Sequence, residues 1–304
     1  MKQPVFSIRT FQWDDIEAFV NLDRSVRLSK GDITPTNAEL ITEILGQPQI
    51  NPEKNCFVLE VNHHVVGYGI LHHESPINRC VLELKIHPEY VNTGAEQKLI
   101  EKAVVESKLL NAKVLHVQAE KTGFLSSILK NMRFNSIRIY WIMQWKTTRL
   151  QQFYPPDGFF FRHLSGSKDI DSLTQLQNRA FSGSWGFSPN TRDEIQYRAE
   201  MSNTKPGGII FLCYEQELCG YCWTFIINNG NSKTGTIAMI GIDPNHRSQR
   251  LGKPLLLAGL KFLHSRGAQY VELEVDSQNL PALRLYDSLG FKKVSERYWF
   301  ELRF

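Results

Sequence analysis

The sequence lacks any long apolar run, and its first residues lack the apolar stretch of a secretion signal. A membrane-spanning helix needs about 18 to 20 consecutive apolar residues, so we expect no membrane partner and a cytoplasmic location. The five cysteines are odd in number and scattered along the chain. This pattern favours reduced packing residues over a disulfide framework.

The sequence also lacks blocks of one charge, since its formal net charge of +4 is spread over 304 residues. Such a weak, dispersed charge gives no reason to expect a nucleic-acid partner. Candidate metal ligands are equally sparse. Adjacent His63 and His64 would point to opposite faces of a strand, and so would Cys219 and Cys222 at their odd spacing. We therefore predict no metal site.

What the sequence does contain is a repeat, because short segments of the first half recur in the same order in the second half at a nearly constant offset. The matched pairs are Val66-Gly67-Tyr68 with Cys219-Gly220-Tyr221, Ile86-His87-Pro88 with Ile242-Asp243-Pro244, Asn111-Ala112-Lys113-Val114 with Gly267-Ala268-Gln269-Tyr270, Met132-Arg133-Phe134 with Leu289-Gly290-Phe291, and Tyr140-Trp141 with Tyr298-Trp299. Matches in one order indicate a duplicated domain.

The boundary between the copies is predicted at Tyr154-Pro155-Pro156-Asp157-Gly158, whose composition is typical of a linker. We expect one domain over residues 1–152 and a second over residues 158–304. In the second copy the patterns predict strands at 208–213, 218–227, 236–242, 270–275 and 294–303, helices at 254–265 and 280–289, and a turn at Asn228-Asn229-Gly230-Asn231. The strand, helix, strand order predicts a right-handed parallel crossover.

The loop before the first of these helices reads His246-Arg247-Ser248-Gln249-Arg250-Leu251-Gly252-Lys253. A helix N-terminus presents unpaired backbone N–H groups and partial positive charge, which together bind phosphate well. The glycine permits close backbone approach, and the two arginines and the lysine can add charged hydrogen bonds. A solvated basic helix start has the same appearance, so the loop alone does not decide.

The stretch IDPNHRSQRLGKPLL, followed by VELEVDSQNLPALRLYDSLGF, resembles the GNAT superfamily of acyl-coenzyme A N-acyltransferases in two separated motifs. The resemblance implies two tandem GNAT-like domains of the α/β (α+β) class, each a central mixed β-sheet flanked by helices. It also implies acetyl-CoA (coenzyme A) as cosubstrate, and direct attack of an amine acceptor on the thioester in a ternary complex. One departure is Arg250, which stands where the family loop usually has its first glycine.

The resemblance also implies the site residues. The phosphate loop would bind the coenzyme A pyrophosphate through Arg247, Ser248, Gln249, Arg250, Leu251, Gly252 and Lys253. The preceding strand would offer backbone groups to pantetheine and the thioester at Ile240, Gly241 and Ile242, and Asn279 would contact the cofactor. Tyr286 would lie near the sulfur and protonate the departing thiolate. A tyrosine that only packs on its helix is the alternative for Tyr286.

Among duplicated members of the superfamily, the likeness is to mycothiol synthase, through Gly220-Tyr221-Cys222-Trp223-Thr224 and the RLYDSLGF ending. Two departures argue against equating them, because Phe225 stands where that enzyme has a substrate lysine and Thr236 where it has a catalytic glutamate. The general base is therefore left open, with Glu194, Asp276 and a relayed water as candidates.

The acceptor pocket is sought in the segment NRAFSGSWGFSPNT, which crowds Phe181, Trp185 and Phe187 into a Gly/Ser-rich stretch. Such loops often form the walls of acceptor pockets, so these three residues and Glu194 are candidate substrate residues. A buried aromatic hinge between helices is an equal alternative.

The first copy is expected to have lost the reaction. Val91 and Glu96 replace the arginine and the glycine at the two ends of the phosphate loop, and Leu129 replaces Tyr286. A carboxylate beside a pyrophosphate would repel it. We therefore expect the C-terminal copy to be catalytic and the N-terminal copy to be a scaffold or an acceptor-recognition domain.

Two rival functions stay open from the sequence. One is a GNAT-like transferase that takes an aminoacyl group from charged tRNA, against which the intact phosphate loop argues. The other is a non-catalytic protein that senses acyl-CoA or binds a partner without turnover, which Arg250, Thr236 and the unidentified base make credible. The sequence identifies neither the acceptor amine nor the oligomeric state.

Overall fold

The computed structural model describes residues 4–32, 36–146, 150, 152–229 and 232–304. Contacts divide the chain into two compact units. Unit 1 comprises Met1–Tyr140 together with Glu296–Phe304, and unit 2 comprises Trp141–Ser295. Residues from the end of the second half thus belong to the unit formed by the first half. The limits 1–152 and 158–304 stay a prediction about the original duplication.

Each unit alternates strands with helices. The strands are β1 (Ser7–Thr10), β2 (Cys56–Val61), β3 (His64–Glu74), β4 (Arg79–Ile86), β5 (Val114–Ala119), β6 (Asn135–Lys146), β7 (Phe159–His163), β8 (Ile209–Tyr214), β9 (Glu217–Asn229), β10 (Ser232–Ile242), β11 (Tyr270–Asp276) and β12 (Lys292–Arg303). The helices are α1 (Ile16–Ser29), α2 (Ala38–Leu45), α3 (Pro52–Asn55), α4 (Ala95–Leu109), α5 (Phe124–Asn131), α6 (Ser167–Phe181), α7 (Arg192–Glu200), α8 (Gly252–Ser265) and α9 (Leu280–Ser288).

The sheet of unit 1 has the strand order β1-β2-β3-β4-β5-β12. Its first four strands are antiparallel neighbours, β4 and β5 are parallel, and β12 is antiparallel to β5 from Tyr298 opposite Ala119 onwards. Helix α4 makes the parallel crossover and buries Leu99 and Ile100 against the sheet. Tyr298 and Phe300 of β12 lie in this same apolar core.

The sheet of unit 2 follows the same plan, with the order β7-β8-β9-β10-β11 and β6 beside β11. Strands β7 to β10 are antiparallel neighbours, whereas β10 and β11 are parallel, which confirms that the predicted crossover joins parallel strands. Helix α8 makes that crossover with four fully buried leucines, as its apolar spacing predicts. They are Leu255, Leu256, Leu260 and Leu263.

The two units repeat individual structural details, which supports the duplication. A buried aspartate before or at the start of the first helix pairs with an arginine of the first strand in both, as Asp15 with Arg9 and Asp169 with Arg162. Left-handed residues also recur at equivalent positions just beyond the crossover helix. Asn111 has φ 56 in unit 1, and Gly267 has φ 86 in unit 2.

The predicted elements of the second copy are all present, and most of their limits agree to within two residues. The largest difference is the third strand, which was expected from Thr236 but begins at Ser232, because its first residues pair with the end of β9. Gly230 and Asn231 of the predicted turn lie outside the described residues.

No helix in the described ranges has the length and apolarity required to cross a bilayer. The five cysteines are free and buried. Within the same ranges, no group of three or more histidine, cysteine, aspartate or glutamate side chains is arranged to hold a metal ion.

Because residues 296–304 belong to unit 1, two phenylalanines near the end of the chain are predicted to stabilise different units. Phe291 is fully buried in the core of unit 2, and Phe300 is 1% exposed in the core of unit 1. Phe→Ala at either position should cost about 3 to 5 kcal/mol of unfolding free energy. Hydrogen exchange should show faster exchange in β4 and β5 for Phe300→Ala, and in β10 and β11 for Phe291→Ala. Faster exchange in the same unit for both variants would contradict the division.

Candidate active site

The predicted thioester strand β10 separates from its parallel neighbour partway along. It pairs with β9 as far as Ile242 opposite Gly220, with a register shift between Ile237 and Met239. Its pairing with β11 in the described residues extends only to Thr236 opposite Glu272. Beyond that point, the N–H and C=O groups that β10 directs away from β9 have no strand partner. A ligand with an extended amide chain can therefore hydrogen-bond to residues 240–242.

Side chains alternate along this part of β10, and glycine lies on the face toward α6. Ile240 and Ile242 pack in the core beneath α8. A Cβ on Gly241 would lie 3.1 Å from Ala180 Cβ and 3.1 Å from Phe181 Cε2, at the end of α6. The strand can therefore approach α6 closely only with glycine at this position.

A short turn of 3₁₀ helix, Pro244–His246, leads from β10 into the predicted phosphate loop. Asp243 caps it by accepting a hydrogen bond from the Asn245 N–H at 3.0 Å, and its carboxylate also pairs with Arg179 at 2.7 Å. Burial opposes ionisation of Asp243, but these two contacts keep its pKa below the ordinary value. The turn is therefore fixed by a charged aspartate.

The backbone of the loop has the conformation of an anion-binding nest. Ser248 has φ 65 and Arg250 has φ 59, both left-handed, and Leu251 is right-handed helical at φ −71. Such alternation directs successive N–H groups to one side. Among the described residues, the N–H groups from Ser248 to Lys253 have no hydrogen-bond partner. The nest lies at the N-terminus of α8, where the helix dipole adds positive charge.

The side chains of the loop have different roles. Arg247 donates to the carbonyl oxygen of Ala180 at 2.6 Å, so it ties the loop to the end of α6. Leu251 is buried in the core, whereas Gln249, Arg250 and Lys253 are exposed. Of the cations in the motif, Arg250 and Lys253 are therefore the two that are free to reach an anion.

Unit 1 contains the same nest with its own anion. Asn92 has φ 63 and Gly94 has φ 100, matching the two left-handed positions of unit 2. Glu96, which stands where unit 2 has Gly252, is 4% exposed and folds back over the turn. Its two carboxylate oxygens accept from the Asn92 N–H at 3.1 and 3.3 Å. A protein carboxylate thus binds the first N–H of the nest in unit 1.

The predicted general acid Tyr286 lies on α9 and is 6% exposed. Its ring packs against Phe291 with centroids 5.7 Å apart, and its hydroxyl has no partner among the described residues. Burial, followed by the proximity of Cys222, raises the pKa of the phenol well above its ordinary value. Asn279 is exposed at the N-cap of the same helix, where its side chain accepts from the Ala282 N–H at 3.3 Å.

The connection between α6 and α7 contains the three aromatic candidates for the acceptor wall. Phe181 and Phe187 are half-buried with ring centroids 5.8 Å apart, and Trp185 is half-buried as well. Asn178 fixes the end of this connection by exchanging two hydrogen bonds of 2.9 Å with the backbone of Asn190. The segment is thus fixed at its end by hydrogen bonds, and its three aromatic rings are partly exposed.

Two candidate bases are already engaged in local hydrogen bonds. Glu194 forms a capping box with Thr191, in which the Thr191 N–H donates to the glutamate at 2.6 Å. Asp276 accepts from the Gln278 N–H at 2.9 Å. Both carboxylates therefore stabilise turns or helix ends.

Three polar groups on the α6–α7 side of the sheet were not singled out from the sequence. Gln177 Oε1 and the Tyr221 hydroxyl are buried without a hydrogen-bond partner in the described residues. Arg198 is half-buried and donates to the Glu194 carbonyl and the Asn190 amide. Burial lowers the pKa of Arg198. From the sequence, Gln177 and Tyr221 could have been found only by comparing the two copies position by position.

Comparison with known proteins adds an independent observation. Residues 170–291 match the model of the Acetyltransferase (GNAT) family. A mycothiol acetyltransferase of Acidothermus cellulolyticus is 27% identical over 273 residues, covering 82% of this chain and 80% of the relative. A protein of the same name from Salinispora tropica is 27% identical over 263 residues, covering 83% of this chain and 82% of the relative.

Solved structures agree on the fold. A tandem GNAT protein from the clavulanic acid biosynthesis pathway superposes with a TM-score of 0.74 at 15% identity, covering 98% of both chains. A GCN5-related N-acetyltransferase from Sphaerobacter thermophilus superposes with a TM-score of 0.71 at 16% identity, covering 98% of this chain and 95% of the other. The predicted fold class, tandem units each with a mixed sheet flanked by helices, is confirmed.

The left-handed backbone of Arg250 predicts a specific stability pattern. A residue with a Cβ costs about 1 to 2 kcal/mol in this region, whereas glycine adopts it freely. Arg250→Gly should therefore be about 1 kcal/mol more stable toward chemical denaturation than Arg250→Ala, although glycine loses more chain entropy on folding. Gly94→Ala, at the matching position of unit 1, should lose a similar amount. An alanine variant as stable as the glycine variant would contradict the strained loop.

Proposed function

We propose that this chain, which carries a GNAT acetyltransferase domain within a tandem GNAT architecture, transfers an acetyl group from acetyl-CoA to a primary amine. The reaction takes place in unit 2 by direct attack in a ternary complex. Acyl transfer is the activity common to the family, and the coenzyme, the acceptor class and the choice of unit are the added steps of the proposal.

The observation that carries the proposal is the contrast between the two nests. In unit 1 both carboxylate oxygens of Glu96 accept from the Asn92 N–H, the first group of the nest. In unit 2 the equivalent residue is Gly252, and the N–H groups of the loop have no partner among the described residues. Unpaired N–H groups at a helix N-terminus are stabilised by a phosphate. We therefore place the coenzyme A pyrophosphate on residues 247–253, with Arg250 and Lys253 as the charged contacts.

The rest of the cofactor follows from the geometry of β10. Pantetheine contains two amides, which match the unpaired N–H and C=O groups of Ile240 and Ile242 on the side where β10 separates from β11. The thioester then lies near Gly241, where the missing side chain leaves the backbone accessible. Asn279, exposed at the N-cap of α9, completes the cofactor contacts.

The chemical step moves one acyl group and one proton. The lone pair of the neutral amine attacks the thioester carbonyl carbon, forming the C–N bond and a tetrahedral oxyanion that backbone N–H groups of β10 stabilise. Collapse of this intermediate breaks the C–S bond. The Tyr286 hydroxyl gives its proton to the thiolate, and the nitrogen loses a proton to water. Water is the preferred relay, since Glu194 and Asp276 are held in turns.

The acceptor is a primary amine whose surroundings differ from those in the mycothiol acetyltransferases. Phe225 and Thr236 lie directly opposite one another on β9 and β10. These are the two positions at which the resemblance leads one to expect a lysine and a glutamate. An apolar ring beside a hydroxyl cannot replace that charged pair, so we do not carry the relatives' substrate over to this chain.

Acetyl-CoA turnover over a defined amine panel tests the proposal. The panel contains glucosamine, lysine, spermidine, an aminoglycoside and a peptide with a free N-terminus, and free thiol release is followed. We expect turnover with at least one amine and thermal stabilisation by acetyl-CoA alone, since a ligand that binds only the folded state stabilises it. Stabilisation without turnover would support an acyl-CoA sensor. Absence of both, with transfer from charged tRNA, would support the tRNA-dependent rival.

The role of Tyr286 gives a sharper test. Tyr286→Phe keeps the buried ring and removes only a hydroxyl without a partner among the described residues, so stability and coenzyme A affinity should be unchanged. Turnover should fall by roughly ten- to a thousandfold, because a thiolate is already a fair leaving group and general-acid assistance is usually worth about a hundred- to ten-thousandfold. Wild-type turnover would make Tyr286 a packing residue, as would an equal loss of stability and activity.

A further inference from the structure

Unit 1 contains a partly exposed ammonium group held by a buried carboxylate, both supplied by its own side chains. Lys85 of β4 forms an ion pair with Asp23 of α1, and its nitrogen lies 5.9 Å from the centre of the Tyr68 ring. Asp23 is 6% exposed and also accepts from Arg27 and Thr36, each at 2.7 Å. Burial alone would raise the pKa of Asp23, but Lys85 and the other donors lower it to about 2. The Asp23 carboxylate therefore stays ionised beside the Lys85 nitrogen.

The duplication identifies the same position in unit 2. Tyr68 is the cross-strand partner of Lys85, and Tyr221 is the cross-strand partner of Gly241. Gln177 follows the paired aspartate Asp169 by the same number of residues as Asp23 follows Asp15, since 177 − 169 equals 23 − 15. Unit 2 thus keeps the tyrosine, changes the aspartate to glutamine, and has glycine in place of the lysine.

Removal of the lysine leaves two oxygen atoms without partners. Gln177 is 1% exposed and Tyr221 is fully buried. Neither Gln177 Oε1 nor the Tyr221 hydroxyl has a hydrogen-bond partner in the described residues. An unsatisfied buried polar group costs about 1 to 3 kcal/mol, so a sequence that only needed to pack this space would have apolar side chains here. The ring of Tyr221 also lies against Gly241, with its Cε1 3.1 Å from that residue's Cβ position.

We propose that the nitrogen of the acceptor amine binds in unit 2 at the position that the Lys85 nitrogen has in unit 1, hydrogen-bonded to Gln177 Oε1 and to the Tyr221 hydroxyl. This proposal rests on the proposed function and adds to it the residues that orient the nucleophile. The acceptor class it implies is an unbranched primary amine, R–CH₂–NH₂, because the position it takes is reached in unit 1 by the slim end of a lysine side chain.

The two oxygen acceptors of Gln177 and Tyr221 match the two N–H donors of a neutral primary amine, which is the nucleophilic form. A neutral primary amine has two N–H groups and one lone pair. The two N–H groups donate to the two orphaned oxygens, and the lone pair stays free to attack a thioester beside Gly241. A carboxylate such as Asp23 would stabilise the ammonium form, which has no lone pair, whereas the uncharged amide of Gln177 does not.

Phe181 forms the wall of this socket on the side of the α6–α7 connection. Its Cε2 atom lies 3.1 Å from the Cβ position of Gly241, and the ring is half-buried. It is the last residue of α6, and Gly183, with φ 76, follows in the connection. The amine enters as this ring turns away from Gly241, so the aromatic wall controls access to the socket.

The test measures amine binding separately from turnover, using n-propylamine as the probe in the presence of saturating coenzyme A and ligand-observed NMR as the readout. Gln177→Leu and Tyr221→Phe should each weaken propylamine binding by about tenfold, the value of one hydrogen bond of about 1.4 kcal/mol. Coenzyme A affinity should not change. The melting temperature of Gln177→Leu should be equal to or above wild type, because an unsatisfied amide is replaced by an apolar group of similar size.

Two matched variants serve as controls. Thr174→Val removes a buried hydroxyl of the same helix that already bonds to the Ile170 carbonyl at 2.7 Å, and Tyr68→Phe removes the equivalent hydroxyl in unit 1. Both should bind propylamine as wild type does. The proposal is overturned if wild type shows no saturable propylamine binding, if Gln177→Leu and Tyr221→Phe keep it, or if Gln177→Leu is destabilised like a lost structural hydrogen bond. Propylamine binding without acetyl transfer would refute only the proposed function.

Discussion

The backbone N–H groups at the turn between a strand and a helix need a negatively charged partner, and this need organises both halves of the chain. The turn has left-handed residues at matched positions in both units, Asn92 and Gly94 in one and Ser248 and Arg250 in the other. This conformation directs N–H groups to one side at the positive end of a helix dipole. In unit 1 the Glu96 carboxylate accepts from the Asn92 N–H. Unit 2 has glycine at that position, and we propose that an external phosphate is the anion there.

A second pair of equivalent positions also has a charged side chain in unit 1 and a glycine in unit 2, but here the charged side chain is a cation. In unit 1 the partly exposed Lys85 forms an ion pair with the buried Asp23. The corresponding place in unit 2 has Gly241, with Gln177 and Tyr221 carrying unpaired oxygens. At both sites unit 1 supplies a charged side chain, and unit 2 has a glycine and polar groups without a partner among the described residues. Under our proposal, unit 2 is the copy that binds the cofactor and the amine.

The sequence predicted the fold well because apolar spacing and turn residues are local. The leucine spacing of α8, the helix-ending Gly267 and the crossover order all appear as expected. Other features depend on contacts that no local pattern encodes. The motif suggested Arg247 as a phosphate ligand, yet its guanidinium bonds to Ala180, which is distant in sequence. The pairing of residues 296–304 with unit 1 and the orphaned atoms of Gln177 and Tyr221 also arise only when remote segments meet.

Calorimetric titration with coenzyme A tests the central claim most directly, because it counts the nests that accept an external phosphate. Wild type should bind one coenzyme A per chain, and Gly252→Glu should abolish that binding by giving unit 2 the carboxylate of unit 1. A Cβ at Gly252 would lie 3.2 Å from the Leu285 Cδ2 atom, so the flexible end of that side chain has to shift slightly. Two equivalent sites in wild type, or unchanged affinity in Gly252→Glu, would contradict the account.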